Sequence, residues 1–184
     1  TEDVENINDI QHPIVRECLK KVKLETGVEI ASFADVPAGT GLGSSSAFTV
    51  GLLNALYAYK GKVVPKERLA AEACEIEIDI LKEPIGKQDQ YAVAYGDINY
   101  IKFHKNETVD VSPIALTEPA RKRLEDRLCL YYIGGKRKAS DILKEQKRNM
   151  LDDEKSQNLR KMVMLADELK GMLHNEDIDS LGGL

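Results

Sequence analysis

The chain has 184 residues, a hydrophobic share of 42%, a charged share of 31% and a formal net charge of -5. This is the make-up of a folded globular protein rather than a disordered one, and the acidic balance argues against nucleic acid as its main partner. No apolar run approaches the roughly 18 residues needed to cross a bilayer, and no signal peptide is legible. Cys18, Cys74 and Cys129 are odd in number and far apart, and His12, His104 and His174 are equally scattered. The expected thiols are therefore core thiols in a reducing compartment, the cytoplasm, with no zinc cluster.

In chain order, HPIVRECLKKVKLE carries Ile14, Val15, Cys18, Leu19 and Val22 on one helical face. After Gly27, VEIASFADV alternates as a strand does. A glycine-rich loop follows, and a helix is expected from about Ser45 to Tyr59. KGKVVP is a turn whose Pro65 opens a further helix over PKERLAAEACEIEIDIL. KEPIGKQDQ interrupts it, QYAVAY forms a short helix, and INYIKF and TVDVSPI form two strands around KNE. TEPARKRLEDR is polar, so a domain boundary is expected near residues 115–127. Beyond it, RLCLYYIGG reads as a strand, KASDILKEQKRNM as a helix, and a charged helix runs from about Asp153 to His174. Strands in neighbouring pairs, without strict βαβ alternation, predict an α+β architecture.

The loop PAGTGLGSSSA, starting at Pro37, stands between a predicted strand and a helix. The first N–H groups of a helix lack internal partners, its dipole is positive there, and glycines allow close approach of phosphate oxygens. The same residues also suit a tight turn with serine caps. Two familiar phosphate loops are excluded: no lysine follows Gly43 as a Walker loop requires, and a helix follows where a dinucleotide fold needs a second strand ending in an acid.

Further on, Glu72, Glu75 and Asp79 share an outer helical surface and read as a solvated charged face. Leu69, Ala73, Ile76 and Ile80 make the inner face, and Glu77 falls nearer to these apolar residues, where an acid needs a partner. Phosphoryl transfer requires a metal held by carboxylate or hydroxyl oxygens and a group that orients the attacking oxygen. Glu77 and Asp89 suit these two roles if the Pro-Ile-Gly turn folds one back toward the other; alone, Asp89 reads equally as a cap or turn residue.

PAGTGLGSSSA resembles P-x-x-x-G-L-[GS]-S-S-[AS], the second motif of the GHMP kinases, small-molecule kinases that include galactokinases, homoserine kinases and mevalonate kinases. The resemblance implies that Pro37, Gly39, Gly41, Leu42, Gly43, Ser44, Ser45 and Ser46 bind the ATP phosphates. It also implies that Ser45 and Glu77 hold Mg2+ and that Asp89 faces the acceptor hydroxyl as the catalytic residue. IGKQDQYAVAYGDINYIKF and LCLYYIGGKRKASDILKEQ are similar to segments of the members that phosphorylate D-glycero-D-manno-heptose 7-phosphate at C1. Lys87, Gln88 and Arg137 are then expected to bind the phosphorylated sugar, while Lys136 and Lys138 suit a basic surface turn. Asp97 departs from the group's pattern, which has glycine there.

The implied fold is an N-terminal domain like domain 2 of ribosomal protein S5 (residues 1–120), followed by the start of a ferredoxin-like C-terminal domain (residues 121–184). The family's first and third motifs are not found, so the chain is expected to be the central part of a longer kinase. A galactokinase- or fucokinase-like specificity, or a non-catalytic nucleotide- or sugar-binding role, is the alternative. The oligomeric state is not legible.

Overall fold

A computed structural model describes residues 1–35, 41–131 and 153–184. The described residues fall into two packing units, one formed by Thr1–Gly96 and the other by 97–131 together with 153–184.

In the first unit, His12 caps helix α1 (Pro13–Val22), accepting from the Val15 N–H, and Pro13 takes the first helical position. Lys23 closes the helix in the left-handed region at φ 55°. Helix α2 (Ser44–Tyr59) is the centre of the unit and packs against α1, α3 and α4. Its Val50, Leu53, Leu56 and Tyr57 join Cys18, Leu19 and Val22 of α1 in one core. Each such side chain contributes about 1.5–3 kcal/mol when fully buried, so the α1–α2 seam anchors this half of the chain.

Helix α3 (Lys66–Cys74) continues without a break into a π-helical turn, Glu75–Ile80. Here the Leu81 N–H reaches back five residues to the Ile76 carbonyl, at 2.9 Å. The extra residue corrects the expected apolar face. Ile80 is turned out, 44% exposed, and Leu81 takes its place against the core. Such single π turns are rare and cluster at functional sites. The Glu83 N–H then bonds the Glu77 carbonyl, folding the chain back toward α4 (Gln88–Tyr95), which Gly96 ends at φ 64°.

Glu72 is a second correction. It is buried rather than solvated, because Arg68 one turn earlier and the Tyr57 hydroxyl both donate to its carboxylate. The strand expected over 28–36 is not formed by its described residues. Residues 28–34 run without regular structure and have no ladder partner among the described residues, and a strand is stable only when its backbone groups are paired. Val28, Ile30 and Phe33 of this segment, with Ala47, Gly51 and Ala55 of α2, instead line a groove of 730 Å³.

The second unit begins with the expected hairpin. Strands β1 (Asn99–Phe103) and β2 (Val109–Pro113) pair antiparallel, Ile101 opposite Val111. Asp97, at the position where the family pattern has glycine, adopts φ 60°, and its carboxylate accepts from Arg121 at 2.8 Å. Asp tolerates the left-handed region better than most residues, so the substitution keeps the turn. The polar stretch expected as a boundary is helix α5 (Glu118–Arg127), with Pro119 in its first turn and Ala120 buried. Residues 128–131, expected in a strand, have no regular structure, and Leu128, Leu130 and Tyr131 are exposed. Cys129 is likewise exposed rather than a core thiol, whereas Cys18 and Cys74 are buried as expected.

Helix α6 (Asp153–His174) is the long charged helix of the sequence. Leu173 and Ile178 pack with Ile114 and Ala120 to form a small second core. Glu176 accepts from both the backbone N–H and the hydroxyl of Thr117, which holds its carboxyl below the usual range. The helix expected over 138–150 lies outside the described residues. Among the described residues, no helix is long and apolar enough to cross a membrane.

Candidate active site

The site is built where α2 begins. Gly43 stands at its N-cap in the left-handed region, φ 65° and ψ 23°, with no side chain to cap the helix. The first bond of the helix runs from the Ala47 N–H to the Gly43 carbonyl, at 2.9 Å. The N–H groups of Ser44, Ser45 and Ser46 precede it and have no helical carbonyl to donate to. Donors of this kind, at the positive end of a helix, suit an anion. Gly41 is also left-handed, φ 79°, and exposed. Leu42 is exposed and borders, with Ser44, the groove described above.

Glu77 reaches this helix start from the π-helical turn. It is 1% exposed, and among the described residues three neutral groups donate to its carboxylate. Ser45 Oγ lies 2.7 Å from Oε1, Ser46 Oγ 2.9 Å from Oε2, and Gln90 Nε2 2.6 Å from Oε2. The expectation that an acid on this face needs partners is met by two serines of the loop and by a residue of α4. Ser46 is buried and its hydroxyl is spent on Glu77, so only its backbone N–H is offered to an anion. Ser45 is exposed and bridges the buried carboxylate to the surface.

A buried carboxylate with neutral donors alone retains its attraction for a cation. The oxygens of Ser45 and Glu77 form the hard donor set that suits Mg2+, which takes few protein ligands and completes its shell with water and phosphate oxygens. No group of three or more His, Cys, Asp or Glu side chains that could hold a metal occurs among the described residues.

Asp89 lies close to Gly43. A Cβ placed on Gly43 would stand 3.2 Å from both Cγ and Oδ2 of Asp89. Asp89 itself is exposed in the first turn of α4, with Gln88 exposed before it and Lys87 at the N-cap. The charge of Lys87 bears on the Cys74 thiol, lowering its pKa, but burial dominates and pushes that thiol up to about 11. Burial, and then the charge of Glu77, push the Cys18 thiol up to about 12.

Of the expected site residues, Gly43, Ser44, Ser45, Ser46, Glu77 and Asp89 therefore meet around one helix terminus. Pro37, Gly39 and Arg137 lie outside the described residues, as do Lys136 and Lys138. Gln90, fully buried against Glu77, is the member that sequence reasoning missed. A polar residue directly after the candidate Asp89 was the available signal, but no pattern within one helix shows which neighbour it will meet.

Residues 12–97 match the GHMP kinases N terminal domain, and this part of the chain is a domain of that kind. A D-glycero-alpha-D-manno-heptose 7-phosphate kinase of Campylobacter jejuni subsp. jejuni serotype O:2 is 33% identical over 173 residues, which cover 94% of this chain and 50% of that protein. A mevalonate kinase of Methanothermobacter thermautotrophicus is 33% identical over 84 residues, 46% of this chain and 27% of that protein. The fold is similar to that of a D-glycero-D-manno-heptose 1-phosphate kinase from Bacteriodes thetaiotaomicron. The TM-score is 0.74 at 26% identity, over 92% of this chain and 51% of that one. The chain thus spans about half the length of the heptose kinase that it matches. Its α+β architecture is shared with that structure.

Proposed function

We propose that this chain carries the phosphate loop and the acceptor-activating residues of an ATP-dependent sugar kinase. The substrate proposed is D-glycero-D-manno-heptose 7-phosphate, phosphorylated at its C1 hydroxyl. The observation that carries the reading is the meeting of Ser45, Glu77 and Asp89 at one glycine-bounded helix N-terminus.

In this reading Gly41, Leu42, Gly43 and the backbone N–H groups of Ser44, Ser45 and Ser46 bind the phosphates, joined by Pro37 and Gly39. Ser45 Oγ and Glu77 Oε1 would hold Mg2+, whose charge, when bound, offsets that of the phosphates. Asp89 orients the C1 hydroxyl and accepts its proton as the oxygen bonds to the γ-phosphorus and ADP leaves. Lys87, Gln88 and Arg137 hold the 7-phosphate, the arginine through its planar fork of donors. Residues 1–120 then form the N-terminal domain, residues 121–184 open the C-terminal one, and the enzyme works in the cytoplasm.

The names of the two heptose kinases differ, one a heptose 7-phosphate kinase and one a heptose 1-phosphate kinase. The 7-phosphate reading follows from the IGKQDQY segment. ADP release by the full-length protein should be measured with heptose 7-phosphate, heptose 1-phosphate, galactose, fucose and mevalonate, and the product located by phosphorus NMR. Turnover only with an unphosphorylated sugar or with mevalonate would remove the heptose assignment. No nucleotide binding at all would leave a non-catalytic role.

A further inference from the structure

We infer that Gln90 is a positioning residue, which holds the Glu77 carboxylate so that the edge shared with Ser45 faces the loop. This rests on the reading of Glu77 and Ser45 as the metal-holding pair. Gln90 is fully buried, and its Nε2 donates to Glu77 Oε2 at 2.6 Å, while its Oε1 has no hydrogen-bond partner among the described residues. Buried polar atoms are nearly always paired, and the exceptions concentrate where a competing demand is stronger. Here the demand is polarity: turning the amide over would set its oxygen against the carboxylate of Glu77.

The nitrogen donates only and accepts nothing. Its contact therefore occupies Oε2 together with Ser46. Among the described residues, Oε1 is left with Ser45, an exposed member of the loop. Gln90 also follows Asp89 directly in the first turn of α4. One helical turn thus carries an exposed aspartate against Gly43 and a buried amide on Glu77, and the position of each restrains the other. Groups that hold metal ligands from behind typically control metal affinity or activity by about 10–100-fold.

The test uses the full-length protein, Mg2+ and a non-hydrolysable ATP analogue, read by calorimetry. Gln90→Met keeps the length of the side chain and removes the donor. It should weaken Mg2+ binding in the presence of the analogue by about 10–100-fold, and leave metal-free analogue binding within about twofold. With Mn2+ as the probe, the electron paramagnetic resonance spectrum of the analogue complex should change in Gln90→Met, because the ligand edge is displaced. A purely structural role leaves that spectrum as in the wild type. Mg2+ affinity and Mn2+ spectrum both equal to the wild type would overturn the positioning role alone. A wild type that shows no Mg2+-dependent analogue binding would overturn the metal reading of Glu77, and this inference with it.

Discussion

Asp89 stands so near Gly43 at the start of α2 that a side chain there would be tight against its carboxylate. A Cβ at Gly43 would lie 3.2 Å from the Asp89 carboxylate, and the backbone there is left-handed at φ 65°. Two independent constraints, steric and conformational, therefore act on one residue of the loop.

Gly43→Ala is expected to cost about 1–2 kcal/mol in backbone conformation and to shift the Asp89 carboxylate by a few tenths of an ångström. A full ångström of misplacement can cost about 100-fold in turnover, so this smaller shift should lower it by roughly 3–10-fold. Asp89→Ala should abolish turnover while leaving ATP binding intact and the melting temperature nearly unchanged, since the side chain is exposed. Steady-state kinetics and calorimetry on both variants check this. Turnover at the wild-type rate in Asp89→Ala would remove that residue from the reaction.

Glu77→Gln retains the size of the side chain and removes its charge. A ligand should matter at least as much as the groups behind it, so Mg2+ affinity in the presence of an ATP analogue should fall by about 10–100-fold or more. Metal-free nucleotide binding should persist. Unchanged Mg2+ affinity would sink the assignment of Glu77 to the metal.

Away from the site, Tyr57→Phe removes the hydroxyl that donates to buried Glu72 at 2.8 Å and accepts from Arg68 at 3.1 Å. The loss leaves part of the Glu72 carboxylate unpaired and should cost about 1–3 kcal/mol. Urea unfolding with an unchanged slope but a lower midpoint is the expected signature. A midpoint equal to the wild type would show that Arg68 alone suffices.

The two buried thiols give a pH prediction. Cys18 is pushed up to about 12 and Cys74 to about 11, while an unfolded thiol ionises near about 8.5. The folded chain therefore binds more protons than the unfolded one above that pH. Their contribution is fully present below about 8.5 and is lost as pH rises through 11 and 12. Cys18→Ala should flatten the fall of stability between about pH 9 and 11, measured by denaturant unfolding at each pH. At pH 8, iodoacetamide should label exposed Cys129 and spare Cys18 and Cys74. Equal labelling of the three, or an unaltered slope in Cys18→Ala, would contradict this account.

The legible parts of the chain are those governed by local rules. Spacing of Cys18, Leu19 and Val22 marks α1; alternation and the KNE turn mark the hairpin; the glycines and serines mark a helix start that suits an anion. Even the inner place of Glu77 follows from helical geometry alone. Residues 28–34 alternate like a strand, yet a strand exists only through a partner backbone, and no alternation supplies one. The π turn is equally hidden, since it changes which residue faces inward without changing composition.

Glu72 and Gln90 show the same division from the side of the site. Both are polar residues on helices, which read as surface, and both are buried because a group distant in sequence answers them: Tyr57 for one, Glu77 for the other. Periodicity and residue chemistry along the chain were enough to place a phosphate-handling loop and to nominate its acids. Which polar groups touch, and hence that Ser45, Glu77 and Gln90 act as one network, depended on packing of α2, α3 and α4. Hydrogen bonds act over about 3 Å, and only the folded chain brings residues 13 to 32 positions apart within that reach.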